Sequence, residues 1–166
     1  RYVIDGGTGA MVSIQGGTTT VTTDSRIGAA NGVYDVSGGA LNLGKLTLGS
    51  ANAANLNNVM TVSGNAVVNQ NQSGSGQNRE LWVGGNNAGS GALVLKGNAA
   101  WTNSALNAST DVIIGRTSGS GQSPSGTLTI LDNANFVVQT GAAAAKVIQL
   151  AGGPNDGATG TINMGG

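Results

Sequence analysis

The sequence contains no cysteine and no histidine, and only 8% of its residues are charged and 3% aromatic. Without cysteine there is no disulfide framework and no thiolate nucleophile, and without histidine there is no imidazole base and no zinc site of the usual kind. Seven basic and seven acidic residues cancel, whereas binding to a nucleic-acid backbone requires clustered Lys and Arg. We therefore expect a non-enzymatic protein with no metal, no other cofactor and no nucleic-acid partner.

Long apolar runs and proline are also scarce. No apolar run approaches the roughly 18 residues of a membrane-spanning helix, which predicts no membrane insertion. With two prolines and no glycine at every third position, the chain is not collagen-like. Intrinsic disorder goes with high net charge and low hydrophobicity, but 39% of the residues are hydrophobic and the net charge is zero. The 30 glycines stand among short apolar segments, which indicates short strands and tight turns.

One three-residue pattern occurs six times, in which a residue that is usually polar has one apolar residue on each side. This alternation is typical of a strand with one buried face. The copies are Val12–Ile14, Tyr34–Val36, Met60–Val62, Leu93–Leu95, Leu128–Ile130 and Ile162–Met164.

A pair of turn-forming residues follows five of these copies, and a second strand is predicted after each pair. The pairs are Gly16-Gly17, Gly38-Gly39, Gly64-Asn65, Gly97-Asn98 and Asp132-Asn133. Since Gly, Asn and Asp tolerate positive φ, a left-handed bend is expected there. Second strands are predicted at 18–21, 40–43, 66–69, 99–102 and 134–138, and a third set at 2–6, 25–28, 46–49, 81–84, 112–115 and 148–152.

Equivalent residues of successive copies, from Ile14 to Met164, are 22, 26, 33, 35 and 34 residues apart. Constant strands joined by connections of variable length are typical of a solenoid. We therefore predict an all-β solenoid of about five three-stranded rungs with uncapped ends. It forms a single domain over residues 1–166, or a segment of a longer solenoid.

The chain resembles the β-helical repeat proteins of bacterial cell surfaces, which include autotransporter passengers and Gly/Asn/Thr-rich proteins of the PEP-CTERM sorting type. The segments that carry the resemblance are Val59–Ala66, Val112–Gly115 and Gly126–Ile130. The resemblance covers nearly the whole chain, but it is one of composition and period. It implies a right-handed parallel β-helix, an extracellular or cell-surface location, and structural or adhesive work.

Trp82 is a candidate interface residue because it stands between the inward residues Leu81 and Val83, so that it should face outward. Alignment of Arg1–Gly7 with Arg79–Gly85 places Ile4 in the column of Trp82, and Ile113 is placed there as well. An apolar outward column indicates lateral packing, and an exposed Trp can stack on a sugar. An adhesin that binds a glycan or a host surface is therefore the alternative to a structural protein.

Carboxylates are the remaining candidates for chemistry. Asp24, Glu80 and Asp111 fall in one outward column with Lys45. A polysaccharide-active enzyme would need two or three such groups to converge, whereas a solvated edge with ion pairs would not. We favour the solvated edge.

The ends of the predicted solenoid lack a polar or helical cap. Bare sheet edges template further strand pairing, and a head-to-tail contact between copies does not close, so that it produces a filament. Val3 at one end, and Ile162 and Met164 at the other, are the assembly candidates. The favoured function is a non-enzymatic, extracellular structural subunit of a surface fibre, with a second copy of the chain as its partner.

Overall fold

The computed structural model describes residues 2–4, 11–22, 25–27, 31–49, 57–72, 80–85, 89–104, 112–117, 123–139, 148–152 and 157–166, with the backbone alone at 2–4, 25–27 and 152. Every regular element in these ranges is a β-strand. The strands form three parallel sheets, and the chain visits the sheets in the same order in every turn. This confirms the predicted all-β parallel solenoid. The right-handed coil stays a prediction.

Sheet A consists of the third strands of the repeat and has six members. They are β1 (Tyr2–Ile4), β4 (Ser25–Ile27), β7 (Leu46–Leu48), β10 (Leu81–Gly85), β13 (Val112–Arg116) and β16 (Ile148–Gly152).

Sheet B consists of the first strands and also has six members. They are β2 (Met11–Ile14), β5 (Val33–Val36), β8 (Asn57–Val62), β11 (Ser90–Leu95), β14 (Ser125–Leu131) and β17 (Thr159–Gly165). Sheet C has five members, which are β3 (Thr18–Val21), β6 (Ala40–Leu43), β9 (Val67–Gln70), β12 (Ala100–Ser104) and β15 (Asn135–Gln139).

The register of sheet B agrees with the alignment made from sequence. Ile14 pairs with Val36, and the same column continues through Val62 and Leu95 to Ile130 and Met164. In the middle of the stack these side chains are fully buried, as are the inward residues of the other two sheets. Alternation of apolar and polar residues therefore places one continuous hydrophobic column on the inner face.

The turn between sheets B and C has the expected left-handed residue in every copy. Positive φ values of 58° to 74° occur at Gly17, Gly39, Gly64, Gly97 and Asp132. The predicted starts of the last three second strands are wrong by one residue, because β9, β12 and β15 begin after the alanine. The turns before β9 and β12 are one residue longer than those before β3 and β6, and Ala66 and Ala99 fill the corner with no exposed surface.

Sheet C carries the largest inward side chain, Trp101, which is fully buried. It pairs in register with Phe136, and the two ring centroids are 6.2 Å apart. The next inward column holds two buried amides, and Asn103 Nδ2 donates a 2.8 Å hydrogen bond to Gln70 Oε1. Buried polar groups are tolerated when they are hydrogen-bonded, so this pair can lie within the apolar stack.

Sheets A and B approach so closely that three successive positions of one column, Gly91, Gly126 and Gly160, leave no room for a Cβ atom. A Cβ at Gly126 would overlap the carbonyl oxygen of Val83, and a Cβ at Gly160 would overlap that of Ile114. Both obstacles are backbone atoms, which cannot move aside as the end of a flexible side chain can. Part of the high glycine content is therefore required by contact between the backbones of neighbouring sheets.

We predict that Gly126→Ala lowers the free energy of unfolding by about 2–3 kcal/mol, because overpacking against a rigid backbone is not relieved by a rotamer change. Gly16→Ala is the matched control, since no atom lies within 4 Å of its added Cβ. The control should change stability by less than about 0.5 kcal/mol. Urea denaturation of both variants tests this, and equal losses would contradict the close-packed column.

Candidate interaction site on the outer face of sheet A

The outward column of sheet A that contains Trp82 runs through β1, β4, β7, β10, β13 and β16 in register. Its residues are Val3, Arg26, Thr47, Trp82, Ile113 and Gln149. The predicted column position of Ile113 is confirmed, whereas that of Ile4 is wrong by one residue. Ile4 pairs with Ile27 and falls in the column of Leu48 and Val83. Ile4 is therefore one register position away from the column of Trp82.

Trp82 points away from the apolar interior but is not exposed. Its neighbours Leu81 and Val83 are fully buried in the core, while Trp82 lies outside that core cluster and is 8% exposed. Thr47 and Ile113, on either side of it in register, are also buried. The expectation of an exposed Trp is therefore wrong, and the outer face of sheet A is covered around this residue.

Two cationic groups lie against the indole ring. Lys45 Nζ is 3.6 Å from the ring centroid, and Arg116 Cζ is 3.5 Å from it. Lys45 directly precedes β7 and Arg116 ends β13, so the cations come from the rungs on either side of β10. A cation over the face of Trp is attracted to the π-electrons, and the attraction strengthens when the contact excludes water.

Glu80 balances one of these charges. Its carboxylate is 2.6 Å from Lys45 Nζ, and the two side chains are only 18% and 16% exposed. The backbone carbonyl of Glu80 accepts hydrogen bonds from Leu46 N at 2.9 Å and from Gln70 Nε2 at 2.7 Å. The amide pair in sheet C therefore helps to position the carboxylate beside Lys45.

The predicted alignment of Lys45 with Glu80 is confirmed by this ion pair. The other two members of the expected acidic column, Asp24 and Asp111, lie outside the described residues. Within the described residues no three His, Cys, Asp or Glu side chains are grouped so as to hold a metal ion.

Two buried hydrogen-bond donors beside the ring have no partner. They are Trp82 Nε1 and Arg116 Nη1. A buried donor that is left unpaired costs about 1–3 kcal/mol, and more when it is charged. Arg116 lies in register between Gly85 and Gly152, neither of which has a side chain that could accept a hydrogen bond. The strands that flank Arg116 therefore provide no side-chain acceptor at its own position.

Sequence reasoning did not identify Arg116. The signal was present, because Gly115-Arg116 aligns with Gly84-Gly85 once the third strands are superposed. Because its neighbours in register, Gly85 and Gly152, have no side chains, the side chain of Arg116 has room to extend along the sheet. Its contact with Trp82 depends on the twist and spacing of the rungs, which the sequence does not report.

The assembly candidates at the end of the stack are more exposed than their counterparts in the middle rungs. Met164 is 78% exposed and Ile162 is half-buried. Met164 also lines an open depression with Ile130 and Ala134. The side chains of Val3 and Ile4 lie outside the described part of the structure, so their assignment to an interface stays a prediction.

No helix among the described residues is long and apolar enough to cross a membrane. Comparison with protein-family models, with curated proteins and with solved structures found no match for this chain.

We predict that Glu80→Gln and Lys45→Met each lower the free energy of unfolding by about 1–2 kcal/mol, because each leaves a largely desolvated charge without its partner. The double variant should lose about 1 kcal/mol less than the sum of the two, since the second substitution removes the orphaned charge. Lys96→Met, at an exposed position, is the control and should be nearly neutral. Thermal and chemical unfolding measure all four, and strict additivity would contradict a coupled pair.

Proposed function

We propose that this chain is a structural β-solenoid that assembles end to end, through continuation of its parallel sheets, into an extracellular fibre. The single observation that carries the proposal is the exposure, among the described residues, of inward positions on β16 and β17. There the columns that are buried in the middle rungs become exposed, as Leu150, at 48%, and Met164 illustrate. Both strands keep a regular parallel register with the preceding rung.

A strand that stacks on β17 gains both hydrogen bonds and hydrophobic contacts. Within the described residues β17 pairs with β14 alone, so the backbone groups of its other edge are available for a further parallel strand. In the same register, Val12 of a second copy would lie over Ile162 and Ile14 over Met164. This repeats the pairing of like residues that is present at every other level of sheet B.

The contact is heterologous, because the first rung of one copy lies on the last rung of another. Such a contact leaves one new free end for every end that it covers, so that assembly continues into a filament. With a net charge of zero and only 8% charged residues, there is little long-range repulsion between copies to oppose this. The compositional resemblance to bacterial surface β-helices supports an extracellular or cell-surface location.

The adhesin alternative depended on an exposed Trp82 as a platform for sugar stacking. Its support is weaker because Lys45 and Arg116 lie against the ring and only 8% of the residue is exposed. The polysaccharide-active enzyme needed converging carboxylates, and the one described pairing of Glu80 is with Lys45. The structural fibre is therefore the function that the described residues favour.

We predict that Met164→Lys abolishes filaments, because it places a charge at the exposed end of the inward column where the next copy would pack. Thr129→Lys adds the same charge on the outward side of the neighbouring strand β14 and should leave assembly unchanged. Electron microscopy and sedimentation velocity of both variants, and of the unmodified chain, measure the outcome.

The unmodified chain should form filaments that lengthen with concentration. The proposal would be overturned if the unmodified chain stayed monomeric at high concentration. It would also be overturned if Met164→Lys and Thr129→Lys lost filaments to the same extent. Circular dichroism of each variant shows whether the β-structure is intact, so that loss of assembly can be distinguished from loss of folding.

A further inference from the structure

We propose that the outer face of sheet A binds a small oxyanion, a carboxylate or a sulfate group, beside Trp82. The site is formed by Lys45, Glu80, Trp82 and Arg116, which we call the Trp82 cluster. It is separate from the strand edges that the fibre uses, so this inference does not depend on the proposed assembly.

The Trp82 cluster carries an uncompensated positive charge. Lys45 is neutralised by Glu80 at 2.6 Å, whereas no carboxylate among the described residues pairs with Arg116. Of the three basic side chains that the structure describes, Lys45, Lys96 and Arg116, two lie against this one ring. In a chain with 8% charged residues, this concentration of cations makes the cluster the most favourable described place for an anion.

The hydrogen-bonding capacity of the cluster is also unfilled. Arg116 Nη1 and Trp82 Nε1 are both buried donors without a partner, and Trp82 is more than nine-tenths buried. Both groups can only donate, since neither guanidinium nor indole nitrogen has an acceptor site. A ligand that satisfies them must therefore supply oxygen acceptors.

The geometry of the ring contacts narrows the ligand class. Because Lys45 and Arg116 lie over the indole, a sugar or an aromatic ring cannot stack there without displacing them. A guanidinium that lies against an aromatic ring keeps its N–H groups at its edge, where they can bind two oxygens of one oxyanion. Carboxylate and sulfate share this chemistry, whether they are free in solution or carried by an acidic polysaccharide.

Trp82 provides a spectroscopic readout of binding. The chain has two tryptophans, and Trp101→Phe removes the other one at a position that pairs in register with Phe136. In this background, fluorescence of Trp82 is followed during titration with sodium sulfate and, separately, with sodium acetate. Sodium chloride at matched ionic strength is the reference. A saturable change in fluorescence with sulfate or acetate, and none with chloride, is the expected result.

Arg116→Lys keeps the positive charge but removes the paired N–H groups of the guanidinium, and it should weaken binding at least tenfold. Trp82→Phe keeps an aromatic ring but removes Nε1, so its binding is measured by calorimetry and should also be weaker. Lys96→Gln removes an exposed cation elsewhere and should bind as the unmodified chain does. Circular dichroism confirms that each variant is folded before binding is compared.

The proposal is overturned if sulfate and acetate act no differently from chloride, which would mean that water satisfies the two donors. It is also overturned if folded Arg116→Lys and Trp82→Phe bind as tightly as the unmodified chain. A response to sulfate but not acetate, or the reverse, supports the site and identifies which oxyanion it prefers. Repetition with the Met164→Lys variant separates this result from assembly, because the Trp82 cluster is distant in register from Met164.

Discussion

Parallel pairing in register between successive rungs is the constraint on which the rest of the structure depends. Each strand hydrogen-bonds to its counterparts one turn earlier and one turn later, so a residue meets the same column position above and below it. An apolar residue in an inward column is therefore stabilised by like residues, and a polar residue can hydrogen-bond to the equivalent residue of the next rung. The stacked asparagines Asn65, Asn98 and Asn133 do so, with amide hydrogen bonds of 3.1 and 3.4 Å.

The same constraint explains the small side chains. A narrow three-sided stack has little interior volume, and its sheets approach until backbone contacts backbone at Gly126 and Gly160. Larger side chains are accepted only where a column provides space, as for Trp101 and Phe136 in sheet C. The outer face of sheet A differs from this pattern, because Trp82 and its two cations lie there together. This face therefore presents cationic side chains, whereas the strand edges present backbone hydrogen-bonding groups.

The sequence predicted the strands and their stacking well, because alternation of apolar and polar residues and turn-forming pairs are local signals. It was less reliable wherever a one-residue difference mattered. Ile4 was assigned to the wrong register column, and β9, β12 and β15 begin one residue later than predicted, since a short strand alone does not fix its register. The expectation that Trp82 is exposed was also wrong, because alternation predicts the direction of a side chain but not what covers it.

By itself the sequence determined the class of fold, the order of the three strands in each rung, and the positions of the left-handed turns, since each depends on residues close together in the chain. Only the tertiary structure decided which residues from different columns or different sheets come into contact, because those contacts depend on the twist and spacing of the strands and not on the repeat pattern. The contact between Arg116 and Trp82 and the packing of Gly126 against Val83 belong to this second group. Burial, too, was decided only by the tertiary structure. Inward columns of similar apolar residues are buried in the middle rungs but exposed at Leu150 and Met164, since burial depends on what packs against each residue and not on its type.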